Sequence, residues 1–81
     1  MPRIRIFSTP ECAQCRSAKA FFAGRGLAYE EVDVAADARG RVEMYELSRA
    51  RTVPVIDLGG RIFIGFGSEV RRQIEEALRE G

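Results

Sequence analysis

The most constraining feature of the chain is how often its hydrophobic period changes. "RIRIFS" (3–8) alternates polar and apolar residues, the mark of a strand with one buried face. After the break "TPE", residues 12–26 switch to helical composition, with Ala18, Phe21 and Phe22 on one stripe and Gly24 and Gly26 as the stop. "AYEEVDV" (28–34) returns to strand character. Residues 35–51, "AADARGRVEMYELSRAR", read as a second helix, with Val42, Met44 or Tyr45, and Leu47 turned toward a core. "TVPVIDL" (52–58) and "RIFIGF" (61–66) flank Gly59-Gly60 as a hairpin. "SEVRRQIEEALRE" (68–80) is a last helix, capped by Ser68, with Val70, Ile74, Ala77 and Leu78 as its apolar face.

The order β-α-β-α-β-β-α predicts an α/β fold. A β-α-β unit with a right-handed crossover gives two parallel strands, and the closing hairpin adds two antiparallel ones. The result is a four-stranded mixed sheet covered by three helices. Eighty-one residues suit one domain with one modest core, and no repeat or linker interrupts them. Phe21, Phe22, Val42, Leu47 and Ile74 are read as core and given no other duty.

Charge narrows the function classes. Thirteen basic and twelve acidic residues leave a formal net charge of +1, too little to build a field for nucleic acid. The start "MPRIRIF" and the lack of a long apolar run predict neither signal peptide nor membrane span, hence a cytosolic protein. In the cytosol ordinary thiols stay reduced.

That compartment sharpens the meaning of the only two cysteines, Cys12 and Cys15, in "TPECAQCRSAK". As a structural staple they would close a three-residue span and restrain little of the unfolded chain. A closed zinc site needs about four ligands, and the chain holds two cysteines and no histidine. Two chains could still share a zinc or iron–sulfur site through four thiolates, which is the alternative reading. A third is a scaffold without redox duty. The C-x-x-C beside a β-α-β pattern reads first as a thioredoxin-like redox motif. Its spacing lets the two sulfurs bond across one helical turn. The first cysteine then lies at a helix N-terminus, where free N–H groups and the helix dipole favour a thiolate. Arg16 and Lys19 add positive potential, and Glu11 opposes it. Pro54, within an otherwise strand-like segment, marks a strand start or a special turn.

Taken together, "STPECAQCRSAK", "GLAYEEVDV", "TVPVI" and "GFGS" resemble the glutaredoxin family, in its order and spacing over nearly the whole chain. The resemblance implies a thioredoxin-like fold in which Cys12 attacks and Cys15 resolves, with a cis Val53–Pro54 bond opposite them. Thr52 and Val53 are the positions whose backbone pairs with an extended substrate. Thr9 stands where glutathione-using members carry a lysine for one glutathione carboxylate. Gly67, Ser68 and Glu69 occupy the stretch whose N–H groups grip the other, and Arg39 or Arg41 is a replacement for the lost charge. Gln14 and the pair Gly65-Phe66 look instead like the small redoxins that serve ribonucleotide reductase and are reduced by thioredoxin reductase, although the proline-aspartate usual after Gly-Phe is absent. The implied protein is a monomer with no bound prosthetic group or metal. It draws electrons from glutathione, or from NADPH through thioredoxin reductase, and passes them to disulfide-bearing proteins or glutathione mixed disulfides.

Overall fold

The computed structural model describes residues 3–80. The elements are β1 (Ile4–Ser8), α1 (Ala13–Gly24), β2 (Glu30–Asp33), α2 (Ala38–Ser48), β3 (Val55–Leu58), β4 (Arg61–Ile64) and α3 (Ser68–Glu80). The strands lie in the order β2-β1-β3-β4. β1 runs parallel to β2 and antiparallel to β3, and β3 is antiparallel to β4. This is the mixed sheet with three helices that the pattern of periods predicts.

The strand alternation divides the interior in two. Ile4 and Ile6 of β1, Ile56 and Leu58 of β3, and Phe63 of β4 pack with Ala18 and Phe22 of α1 and Ile74 of α3. On the opposite face Phe7, Val34 and Val55 pack with Met44 of α2. A fully buried side chain such as Phe22 contributes about 1.5–3 kcal/mol relative to leaving it in water. Arg5 also points to the α2 face. Its guanidinium donates to Glu43 of α2 at 2.8 Å, lies 3.6 Å from Asp57 of β3 and sits over the Phe7 ring. The hydrogen bond to Glu43, first among these, holds the Arg5 pKa above its ordinary value.

Helix α2 departs from the sequence expectation. It is shorter than 35–51, because Asp33 and the following residues form a turn and Asp37 caps the helix, accepting from the Gly40 N–H at 3.0 Å. It ends at Ser48, after which Arg49 takes a left-handed conformation (φ 61°) and returns its N–H to the Tyr45 carbonyl. Its buried positions are Gly40 and Met44. Val42 (55% exposed) and Leu47 (40% exposed) are therefore not core. Gly40 lies so close to β2 that a Cβ there would overlap Val32 Cγ1. That close approach fixes the rotation of the helix, and Val42, two residues on, is turned about 200° away.

Smaller differences have local causes. β2 starts at Glu30 and β4 stops at Ile64, before Gly65 at φ 83°. Ser68 is not the cap of α3 but its first helical residue. The Gly67 carbonyl accepts the first helical bond, from the Arg71 N–H at 2.9 Å. No described helix is long and apolar enough to cross a membrane.

Candidate redox site

Cys12 is the N-cap of α1, with extended backbone (φ −88°, ψ 114°), so its side chain turns back over the first helical turn. Its Sγ accepts from the Cys15 N–H at 3.1 Å, and its carbonyl accepts from the Arg16 N–H. Cys12 and Cys15 form a disulfide across 5.2 Å of Cα separation. Cys12 is partly exposed and Cys15 fully buried, so only one sulfur is open to attack from outside. Reduction would leave the Cys12 sulfur facing free N–H groups at a helix start, the setting that favours a thiolate. No acidic residue lies in that first turn. Arg16 and Glu11 are both exposed beside it. Lys19 is already engaged, 2.7 Å from Glu31, which also accepts from the buried Ser8 hydroxyl. These two hydrogen bonds, Lys19 foremost, hold the Glu31 carboxyl below the usual carboxylate range.

The Val53–Pro54 peptide is cis. The carbonyl of Pro54 accepts from the Gly65 N–H at 2.8 Å, and the next amide, Phe66 N–H, donates to Gln14 Oε1 at 3.0 Å. Two hydrogen bonds thus tie the proline segment and the start of α1 to the turn between β4 and α3. Gln14, one of the redoxin-like positions, thus has an intramolecular partner.

Thr9, Thr52 and Val53 meet in one open hollow of about 510 Å³, together with Val34, Met44, Arg41 and Arg51. Gly67, Ser68 and Glu69 form the exposed start of α3 and are not part of that lining; the Glu69 carboxylate is held by Arg72. Of the two arginines named as substitutes for the missing lysine, Arg41 lines the hollow and Arg39 does not. Arg51 escaped the sequence reading because it was placed at the end of a helix that stops three residues earlier. Its position directly before Thr52-Val53-Pro54 was the available signal. Among the described residues no group of three or more histidine, cysteine or acidic side chains is arranged to hold a metal ion.

Comparison with known proteins decides the family. The family model described as Glutaredoxin matches residues 4–64, which include both cysteines, the cis-proline and all four strands. The chain belongs to the glutaredoxin family. It is 38% identical over 74 residues to a glutaredoxin-like 8.6 kDa protein in the rubredoxin operon of Clostridium pasteurianum, covering 90% of this chain and 99% of that one. It is 32% identical over 56 residues to glutaredoxin 3 of Escherichia coli strain K12, covering 69% and 68% of the two chains. Among solved structures, the thioredoxin-like protein BC3987 superimposes with a TM-score of 0.80 at 29% identity, over 89% of this chain and 99% of that chain. As a glutaredoxin with a Cys12–Cys15 pair that forms a disulfide, this chain has a thiol–disulfide redox role. That chemistry needs no bound prosthetic group, and family membership implies redox partners such as disulfide substrates or glutathione.

Proposed function

We propose that this glutaredoxin is a cytosolic, monomeric dithiol–disulfide oxidoreductase acting on protein disulfides and glutathione mixed disulfides. The observation that carries the reading is the asymmetry of the cysteine pair, with Cys12 accessible at a helix N-cap and Cys15 buried one turn on. The Cys12 thiolate attacks one sulfur of the target disulfide, forming a mixed disulfide and releasing the other sulfur as a thiolate that takes up a proton. Cys15 then gives up its proton and attacks the Cys12 sulfur. The remaining target thiol leaves, two electrons have passed to the target, and the Cys12–Cys15 disulfide remains. Backbone groups of Thr52 and Val53 hold the substrate as an added strand. The N–H groups of Gly67, Ser68 and Glu69 serve an anionic end of it, and Gln14 and Thr9 complete the surroundings of the sulfur. Two reductants fit the recycling step, glutathione and NADPH with thioredoxin reductase. In the second case ribonucleotide reductase joins the protein substrates.

Reduction of insulin and of a glutathione mixed disulfide tests the reading. Cys12→Ser is expected to abolish both reactions, and full activity in that variant would overturn the assignment. Cys15→Ser is expected to accumulate a covalent adduct with protein substrates, visible as an added mass that reductant removes. Turnover with each reductase system in parallel assigns the electron donor.

A further inference from the structure

Phe21, on the apolar stripe of α1, is only half-buried, and its ring is gripped by charge. The Arg25 guanidinium stands 4.7 Å from the ring centroid, and that of Arg71, near the start of α3, stands 5.4 Å from it. Both guanidiniums also reach one oxygen of Glu75, at 3.4 and 3.6 Å. Phe21 further meets Phe22 edge-on at 5.2 Å and Phe66 at 5.5 Å. The cluster joins α1 to α3, and Phe66 is its link to the redox end. The Phe66 ring is buried against Phe21, while its N–H donates to the Oε1 of Gln14, between the two cysteines.

Little else holds the beginning of α3. Ser68 and Glu69 are exposed, Val70 is half-buried, and the first fully buried side chain of the helix is Ile74. Phe66 in front of the helix and Arg71, whose N–H closes its first turn on the Gly67 carbonyl, are the attachments nearest to the Gly67, Ser68 and Glu69 N–H groups. Glycines flank Phe66 on both sides, and glycine leaves a chain free to shift.

We infer, resting on the oxidoreductase reading above and its anion site at the start of α3, that Phe21 is a positioning residue for substrates that carry a carboxylate. It acts through Phe66 and Arg71, which hold the N–H groups of α3 at one place relative to Cys12. A carboxylate on one arm of a mixed disulfide meets those N–H groups while the sulfur lies at Cys12. Without the grip of Phe21 the N–H groups spread over several positions and the carboxylate is held less well. A neutral disulfide makes no use of them and is indifferent to the loss.

The test uses the full chain, reduced beforehand, and one cysteine peptide in two mixed disulfides, with glutathione and with neutral 2-mercaptoethanol. Single turnovers at rising peptide concentration, followed by loss of the disulfide, give a half-saturating concentration and a limiting rate for each. Phe21→Leu keeps an apolar filler but removes the aromatic face, and Arg71→Gln removes a cation at an exposed position. Each is expected to raise the half-saturating concentration for the glutathione disulfide about fivefold, the size of one partly exposed cation–π contact, with the limiting rate unchanged. The mercaptoethanol disulfide should react as it does with the parent. Phe21→Tyr, which keeps the ring, should retain parental values for both, and circular dichroism checks folding throughout. Equal half-saturating concentrations for the glutathione disulfide in parent and variants alike would overturn the positioning role. Equal losses with both disulfides would overturn it too, since they mark a merely structural contact. Failure of the parent to react with either disulfide would instead bring down the oxidoreductase reading.

Discussion

Replacing Gly40 by alanine tests how α2 is seated against the sheet and so what sets the position of Arg41 in the hollow. In a free helix the change is favourable, since glycine costs roughly 0.5–1 kcal/mol relative to alanine. Gly40 is the third residue of α2, buried against β2, and its N–H caps onto Asp37. A Cβ would overlap Val32 Cγ1 and press within 3.3 Å of the Asp37 carboxyl carbon. Overpacking of this kind costs about 1–3 kcal/mol, so Gly40→Ala should destabilise by up to about 2 kcal/mol after the helix gain is subtracted. In a Val32→Ala background the main obstruction is gone, and the same substitution should stabilise by about 0.5 kcal/mol. Urea denaturation reads both. With an m-value of about 1 kcal/mol/M for a chain this small, the midpoint should fall by up to about 2 M in the first case and rise slightly in the second. A raised midpoint for Gly40→Ala alone would refute the argument that close approach to β2 sets the rotation of α2. So would equal effects in the two backgrounds, because neighbours that share a contact must couple.

Other consequences are equally direct. Gln14→Met keeps the side-chain length but removes the acceptor of the Phe66 N–H, so that amide should exchange about fivefold faster, the effect of losing roughly 1 kcal/mol. Gln14→Glu, which keeps an acceptor, should preserve its protection; unchanged exchange in the methionine variant would deny the link. Glu31 has a depressed folded-state pKa. Its contribution to stability is therefore fully present above the pKa of an unfolded glutamate and is lost as pH falls through the lower folded value. Denaturation midpoints followed downward from neutral pH should fall less steeply for Glu31→Gln than for the parent, and parallel curves would contradict that. Arg5→Met leaves Glu43 and Asp57 facing each other without their cation and should cost about 1–3 kcal/mol. Adding Asp57→Asn should recover part of the loss.

What the chain alone determined follows from short-range rules. A period of two or of 3.6 residues is readable without knowing any partner, so the element order and the mixed sheet were legible. The dithiol was legible for the same reason, since a C-x-x-C at a helix start carries its chemistry within four residues. The glutaredoxin resemblance added the cis bond before Pro54. Helix α2 shows where local reading stops. Its sequence offers Val42, Met44, Tyr45 and Leu47 as apolar faces, and hydrophobicity alone does not rank them. The close fit of Gly40 against Val32, 8 residues apart along the chain, chose Met44 and left Val42 outside. The partner of Gln14 was equally out of reach, since only the turn before α3 brings the Phe66 N–H to it across 52 residues. Arg41 and Arg51 share one hollow because α2 stops at Ser48 and the chain turns back toward the proline. The sequence specifies chemistry within a turn or a strand; which apolar face is buried, and which cations converge without a counter-ion, is decided by packing between elements distant along the chain.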